Sequence, residues 1–161
     1  MINQLIDIIS REAVVFETFL SLLEQQKELL LTNDVPGLTR NTAAQQEALL
    51  ESKQLNQERV RLVTELQRSH DIEGDFGLST LLELVDQAQA ERLTQLRDLI
   101  FNLNEQITDV RNANVLLLNQ SREYIARTMT MLSQMHHPDT TYSRTGTESS
   151  RGSAVAVDRR A

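Results

Sequence analysis

The sequence predicts an all-α fold: an elongated antiparallel three-helix bundle, or coiled coil, with a long third helix and a disordered C-terminal tail. Three observations carry this. Glycine and proline cluster at three places only, Pro36–Gly37, Gly74 with Gly77, and Pro138 with Gly146 and Gly152. Each would cost a helix interior about 1 or 3 kcal/mol respectively, so the stretches between them can run as uninterrupted helices. Within those stretches apolar residues alternate by four and three, the spacing of a coiled-coil seam. Aromatic residues make up 4% of the 161, and tryptophan is absent. That scarcity favours thin helix-on-helix seams over a thick core.

The first segment runs from 2 to 32. Ile9, Ala13, Phe16, Leu20, Leu23, Lys27 and Leu30 form its seam, and Val15, Phe19, Leu22 and Leu29 widen the apolar face for a second neighbour. Asn33 can close it in a left-handed conformation, and Asp34 can cap the next helix with Pro36 in its first turn. So short a connection implies an antiparallel hairpin. The second segment, 35 to 68, has a weaker pattern (Ala44, Ala48, Leu55, Leu62, Leu66) and a centre rich in Gln and small residues. It reads as a solvent-washed helix leaning on the other two. In the linker 69–79, Ile72, Phe76 and Leu78 are expected to fold back over the bundle end. Thr80 and Glu83 match a capping box and open the third segment, 80 to 135. At 1.5 Å per residue it would be about 80 Å long, against about 50 Å for the others. Either it breaks near 87–91 or its C-terminal end projects. Residues 1–136 are thus expected to form one helical domain, with 137–161 a disordered tail of Ser, Thr, Gly and Arg.

Net charge is −7, and the tail alone carries +1, leaving −8 on the helical body. An acidic body lacks the phosphate-neutralising surface that nucleic acid needs and argues against a basic membrane-surface helix. No apolar run approaches about 18 residues, and the N-terminus MINQLIDIISRE has neither a basic region nor a cleavage site. A cytoplasmic protein with a protein partner is expected, with no stable membrane insertion. There is no cysteine, hence no disulfide and no thiolate metal site. His136 and His137 are adjacent and point about 100° apart on a helix, so they cannot clamp one metal. HExxH, a P-loop and the Glu-x-x-His of di-iron bundles are all missing. The sequence predicts neither an enzyme nor a cofactor, metal or small-molecule substrate.

One stretch asks for a partner. Val115, Leu116, Leu117 and Leu118 are consecutive and cover about 300° of a helix circumference. The seam column Asn114, Ser121, Thr128 turns polar, while Leu118, Ile125, Met129 and Leu132 form a second apolar stripe. Met129, Met131 and Met135 cluster here, and methionine is over-used on surfaces that accommodate differing partners. Two readings remain: the other helices bury this stretch with Met as gap-filler, or it is a docking face for a partner's amphipathic helix.

Three stretches, in this order and spacing, carry a resemblance that covers most of residues 1–146. They are LLEQQKELLLTNDVPGL at the first junction, NANVLLLNQSREYIARTMTMLSQM at the end of the third helix, and DTTYSRTGT just after it. Together they resemble the FlgN family of flagellar type III export chaperones. The resemblance implies a cytoplasmic chaperone for hook-associated proteins, holding the client's terminal helical segment through its own C-terminal helix. It selects Leu117, Leu118, Ile125, Met129 and Leu132 as client contacts and Tyr142 as the residue that docks on the export gate. The competing class is a structural or adaptor coiled coil that oligomerises through the same seam. An exported coiled-coil protein is disfavoured, because the helical pattern starts at residue 2.

Overall fold

The computed structural model describes residues 1–72, 74 and 76–135. It contains α1 (Ile2–Thr32), α2 (Val35–Ser69), α3 (Leu78–Glu83) and α4 (Gln87–Met135), with no strand among the described residues. By contacts the chain divides into two units, Met1–Glu123 and a second beginning at Tyr124.

Local chemistry sets the α1–α2 hairpin. Asn33 ends α1 at φ 53°, ψ 35°, a left-handed conformation that Asn tolerates better than most residues. The amides of Asn33 and Asp34 reach back to the carbonyls of Leu30 and Leu29. Asp34 Oδ1 accepts the amide of Gly37 at 2.9 Å, and Pro36 stands in the first turn, where its missing N–H leaves no gap. Gly37 is buried under this cap. A Cβ there would run into the Asp34 carboxylate and come within 2.6 Å of Leu29 Cδ2.

α1 and α2 then pack antiparallel, from Asn41 beside Leu22 through Arg59 beside Glu12 to Leu66 against Leu5. α2 is α1's closest companion, and most of its residues face solvent, with Gly37, Asn41, Ala48, Leu55 and Leu66 buried. The small residues that weaken its pattern are the reason for the closeness, because Ala48, buried in the same apolar cluster as Val15 and Leu55, lets the backbones approach.

The third segment is broken. α3 begins after Gly77, so Thr80 lies inside that helix and does not cap it. Leu84–Asp86 interrupt the helix, just before the window 87–91, and the capping box forms one step later. Asp86 Oδ1 accepts the Gln89 amide at 2.8 Å, and Gln89 Oε1 accepts the Asp86 amide at 3.3 Å. As expected of the linker, Phe76 and Leu78 fold onto the bundle end. With Leu82 and Val85 they surround an apolar cluster of Leu5, Leu66, Leu81 and Leu93.

α4 runs parallel to α1 and so antiparallel to α2. Gln89 Nε2 donates to Asn3 Oδ1 at 2.7 Å, and Asn114 Nδ2 to the Leu23 carbonyl at 2.7 Å. Leu93, Leu96 and Leu103 are buried along the way.

Candidate partner-binding site

The five sequence-selected residues all lie on α4, in different settings. In the first unit, Leu117 is half-buried and Leu118 is exposed, as are its neighbours Val115 and Leu116. Four consecutive residues face every direction of a helix, so a helix touching α1 on one side must show the rest of VLLL to solvent. In the second unit, Ile125, Met129 and Leu132 are exposed at i, i+4 and i+7, which places them on one helix face. Tyr124 and Met131 are exposed as well. Met129 at 63% and Met131 at 64% exposure do not fill gaps in a core. Tyr142 lies outside the described residues.

Below this stretch the seam follows its sequence spacing, with Leu93, Leu96 and Leu103 buried and Ile100, Ile107 and Val110 half-buried. After Leu103, Asn114 is the one buried residue of α4 among those described.

The seam also holds polar residues that apolar periodicity does not pick out. Glu12 is buried on α1, where its Oε1 accepts from Arg59 Nε at 3.1 Å, and Arg59 Nη2 donates to Asn56 Oδ1 at 2.6 Å. An open cavity of about 370 Å³ lies over this pair, lined by Ile9, Phe16, Ser52, Ile100 and Asn104 among others. Near the hairpin turn two asparagines grip α1 from either side. Asn41 Nδ2 donates to the Leu22 carbonyl at 2.9 Å and to Gln25 Oε1 at 3.0 Å. Asn114 Nδ2 donates to the Leu23 carbonyl at 2.7 Å and to Gln26 Oε1 at 3.0 Å. Lys27, expected in the α1 seam, is exposed, and half-buried Gln26 stands at the α4 contact instead. The amide pairing decides this, since Gln26 can accept from Asn114 and an ammonium cannot.

A second groove, about 760 Å³, runs between α1 and α2 near their Asn3 and Glu65 ends. Its charges alternate in sign, with Arg11 and Glu58 4.0 Å apart. No three His, Asp or Glu side chains come together as a metal site among the described residues, and no described helix is long and apolar enough to cross a membrane.

Apolar side chains are thus displayed along one helix of an all-α bundle. A family model, the FlgN protein, matches residues 1–150. The chain belongs to the FlgN family of flagellar export chaperones. No curated protein and no solved structure matches it.

Proposed function

We propose that the chain is a cytoplasmic chaperone for hook-associated flagellar proteins, gripping a helical segment of the client with the C-terminal half of α4 and delivering it to the export gate. One observation supports this most directly: Val115, Leu116, Leu118, Ile125, Met129 and Leu132 are all exposed, at 48% or more. Leu117, Leu118, Ile125, Met129 and Leu132 are the contacts assigned to the client. Apolar surface of this kind gains by covering a partner's amphipathic helix. The client segment is apolar while unassembled, and burying it removes an aggregation hazard at the cost of ordering the segment. The action is stoichiometric, and release at the gate needs only modest affinity. Tyr142 is assigned to the gate on the family resemblance.

The test is a one-to-one complex with a purified hook-associated protein, read by gel filtration. Met129→Glu with Leu132→Glu is expected to leave helicity and melting intact while abolishing co-elution. Failure of the unaltered chain to co-elute would sink the client assignment. A stable homo-oligomer by light scattering, lost in the same double variant, would favour the adaptor reading. Tyr142→Ala is expected to weaken export with client binding unchanged, and equal loss of both would contradict the separate roles.

A further inference from the structure

Asn41 and Asn114 hold α1 by the same pair of bonds and differ in what their own carbonyl oxygens find. Asn41 Oδ1 accepts from Gln45 Nε2 at 2.7 Å, one turn along α2. Asn114 Oδ1 is shut away from water and has no hydrogen-bond partner, because the residue one turn along α4 is Leu118. A buried acceptor without a donor carries its full desolvation penalty as long as the contact stays closed. Nothing apolar nearby on α4 offsets it strongly, since Val110 and Leu117 are only half-buried and Ser121 is polar. Burial scales with apolar area removed from water, and the fully buried leucines of α4 all lie at or below Leu103.

We infer that Asn114 is a latch: the stretch of α4 around it, 110–121, opens from α1 as a local event while Leu93–Leu103 stays docked. Opening breaks the two bonds from Asn114 Nδ2, returns Gln26 and the stranded Oδ1 to water, and bares Leu23. The Leu23 carbonyl keeps its own helical bond within α1, so α1 loses no backbone structure. Local openings of this kind draw on the least buried contacts of a fold. Asn41, with every polar atom of its side chain engaged, holds α2 to α1 without that penalty.

The chain has no cysteine, so a single introduced thiol reports the opening cleanly. Leu23 is 4% exposed and Leu96 3%, which makes Leu23→Cys and Leu96→Cys matched reporters above and below the proposed boundary. Each is treated with N-ethylmaleimide in the full chain, and its rate is corrected for that variant's own unfolding equilibrium. Leu23→Cys is expected to react at least about 100-fold faster than Leu96→Cys, and adding Asn114→Leu to slow it about tenfold while leaving Leu96→Cys unchanged. Leu30→Cys, buried one heptad further along α1, reports the same opening if Leu23→Cys does not fold. Equal corrected rates above and below would overturn the latch. So would a Leu23→Cys rate that ignores Asn114→Leu.

Discussion

The two ends of the α1–α2 hairpin are built from opposite materials. At the end where the chain starts, Leu5, Leu66, Leu81 and Leu93 meet in an apolar cluster with α3 folded over it. At the turn end, Asn41 and Asn114 join α2 and α4 to α1 through side-chain amides, with Gln25 and Gln26 as their partners. Leucine clusters stabilise without specifying alignment, since neighbouring registers bury similar area. Amides that must find particular carbonyls specify alignment at some cost in stability, as a polar residue in a coiled-coil seam does. The leucine end is therefore expected to hold the bundle together and the amide end to set how α2 and α4 line up on α1.

The largest effect should separate the ends directly. Leu66 is 1% exposed within the cluster, and Leu66→Ala is expected to cost about 2–5 kcal/mol, as buried leucine truncations do. Asn41→Ala should cost only about 1–2 kcal/mol, the scale of lost hydrogen bonds with small cavities. Urea denaturation of the two variants decides it. Equal losses would mean that the amide end is as stabilising as the leucine cluster.

Between the ends sits the Glu12–Arg59 pair, where a buried carboxylate depends on one guanidinium. Arg59→Met removes the partner and leaves the charge stranded. The arginine side chain is itself 40% exposed, so water screens part of the loss, and about 1–3 kcal/mol is expected. Glu12→Gln added to Arg59→Met should restore most of it, because an amide tolerates burial better than an unpaired carboxylate. A double variant no more stable than Arg59→Met alone would show that the arginine acts through its stem and not through its charge.

How much of this was legible in the sequence follows the same division. The α1 and α2 boundaries rest on strong local signals, with Asn33, Asp34 and Pro36 stopping one helix and starting the next. The buried leucines of α4 follow their 3.5-residue spacing. Glu12, Asn41 and the grip of Asn114 were hidden because periodicity counts apolar residues, and these positions are polar. The hairpin itself held part of the missing signal. Once the turn is placed at 33–34, antiparallel pairing brings Asn41 near the level of Gln25, so a search for complementary polar pairs at matching distances from the turn would have found that pair, whereas Arg59 lies about one helical turn further from it than Glu12. The sequence leaves open whether the third segment breaks near 87–91; the break lies just before that window, at 84–86, and Thr80–Glu83 and Asp86–Gln89 both fit a capping-box pattern. The choice between them came from tertiary packing, where Leu81 buries into the cluster and fixes α3 as a separate turn of helix. The exposure of Leu118, Ile125, Met129 and Leu132 is outside what a pattern states, since periodicity shows which residues share a face and not whether a neighbour covers it.

The smallest expected effect tests the amide end most finely. On α2 the acceptor of Asn41 is satisfied by a glutamine four residues on, a contact made within one helix and independent of its neighbours. Leu118 holds the corresponding place after Asn114 and is 48% exposed. Leu118→Gln should therefore supply the donor that Asn114 Oδ1 lacks without disturbing a buried apolar contact. A gain of about 0.5–1.5 kcal/mol is expected, seen as a higher melting temperature, even though the substitution replaces leucine by a polar residue. Leu118→Ala is the control, removing the same apolar surface without adding a donor, and should show no gain. If both variants lose stability equally, Leu118 stabilises the bundle through packing and the missing hydrogen bond has no energetic weight. If Leu118→Gln melts higher yet binds a hook-associated client less well, the exposed leucine serves the partner and not the fold, and the unsatisfied asparagine beside it is a penalty that the bundle carries in order to keep that leucine there.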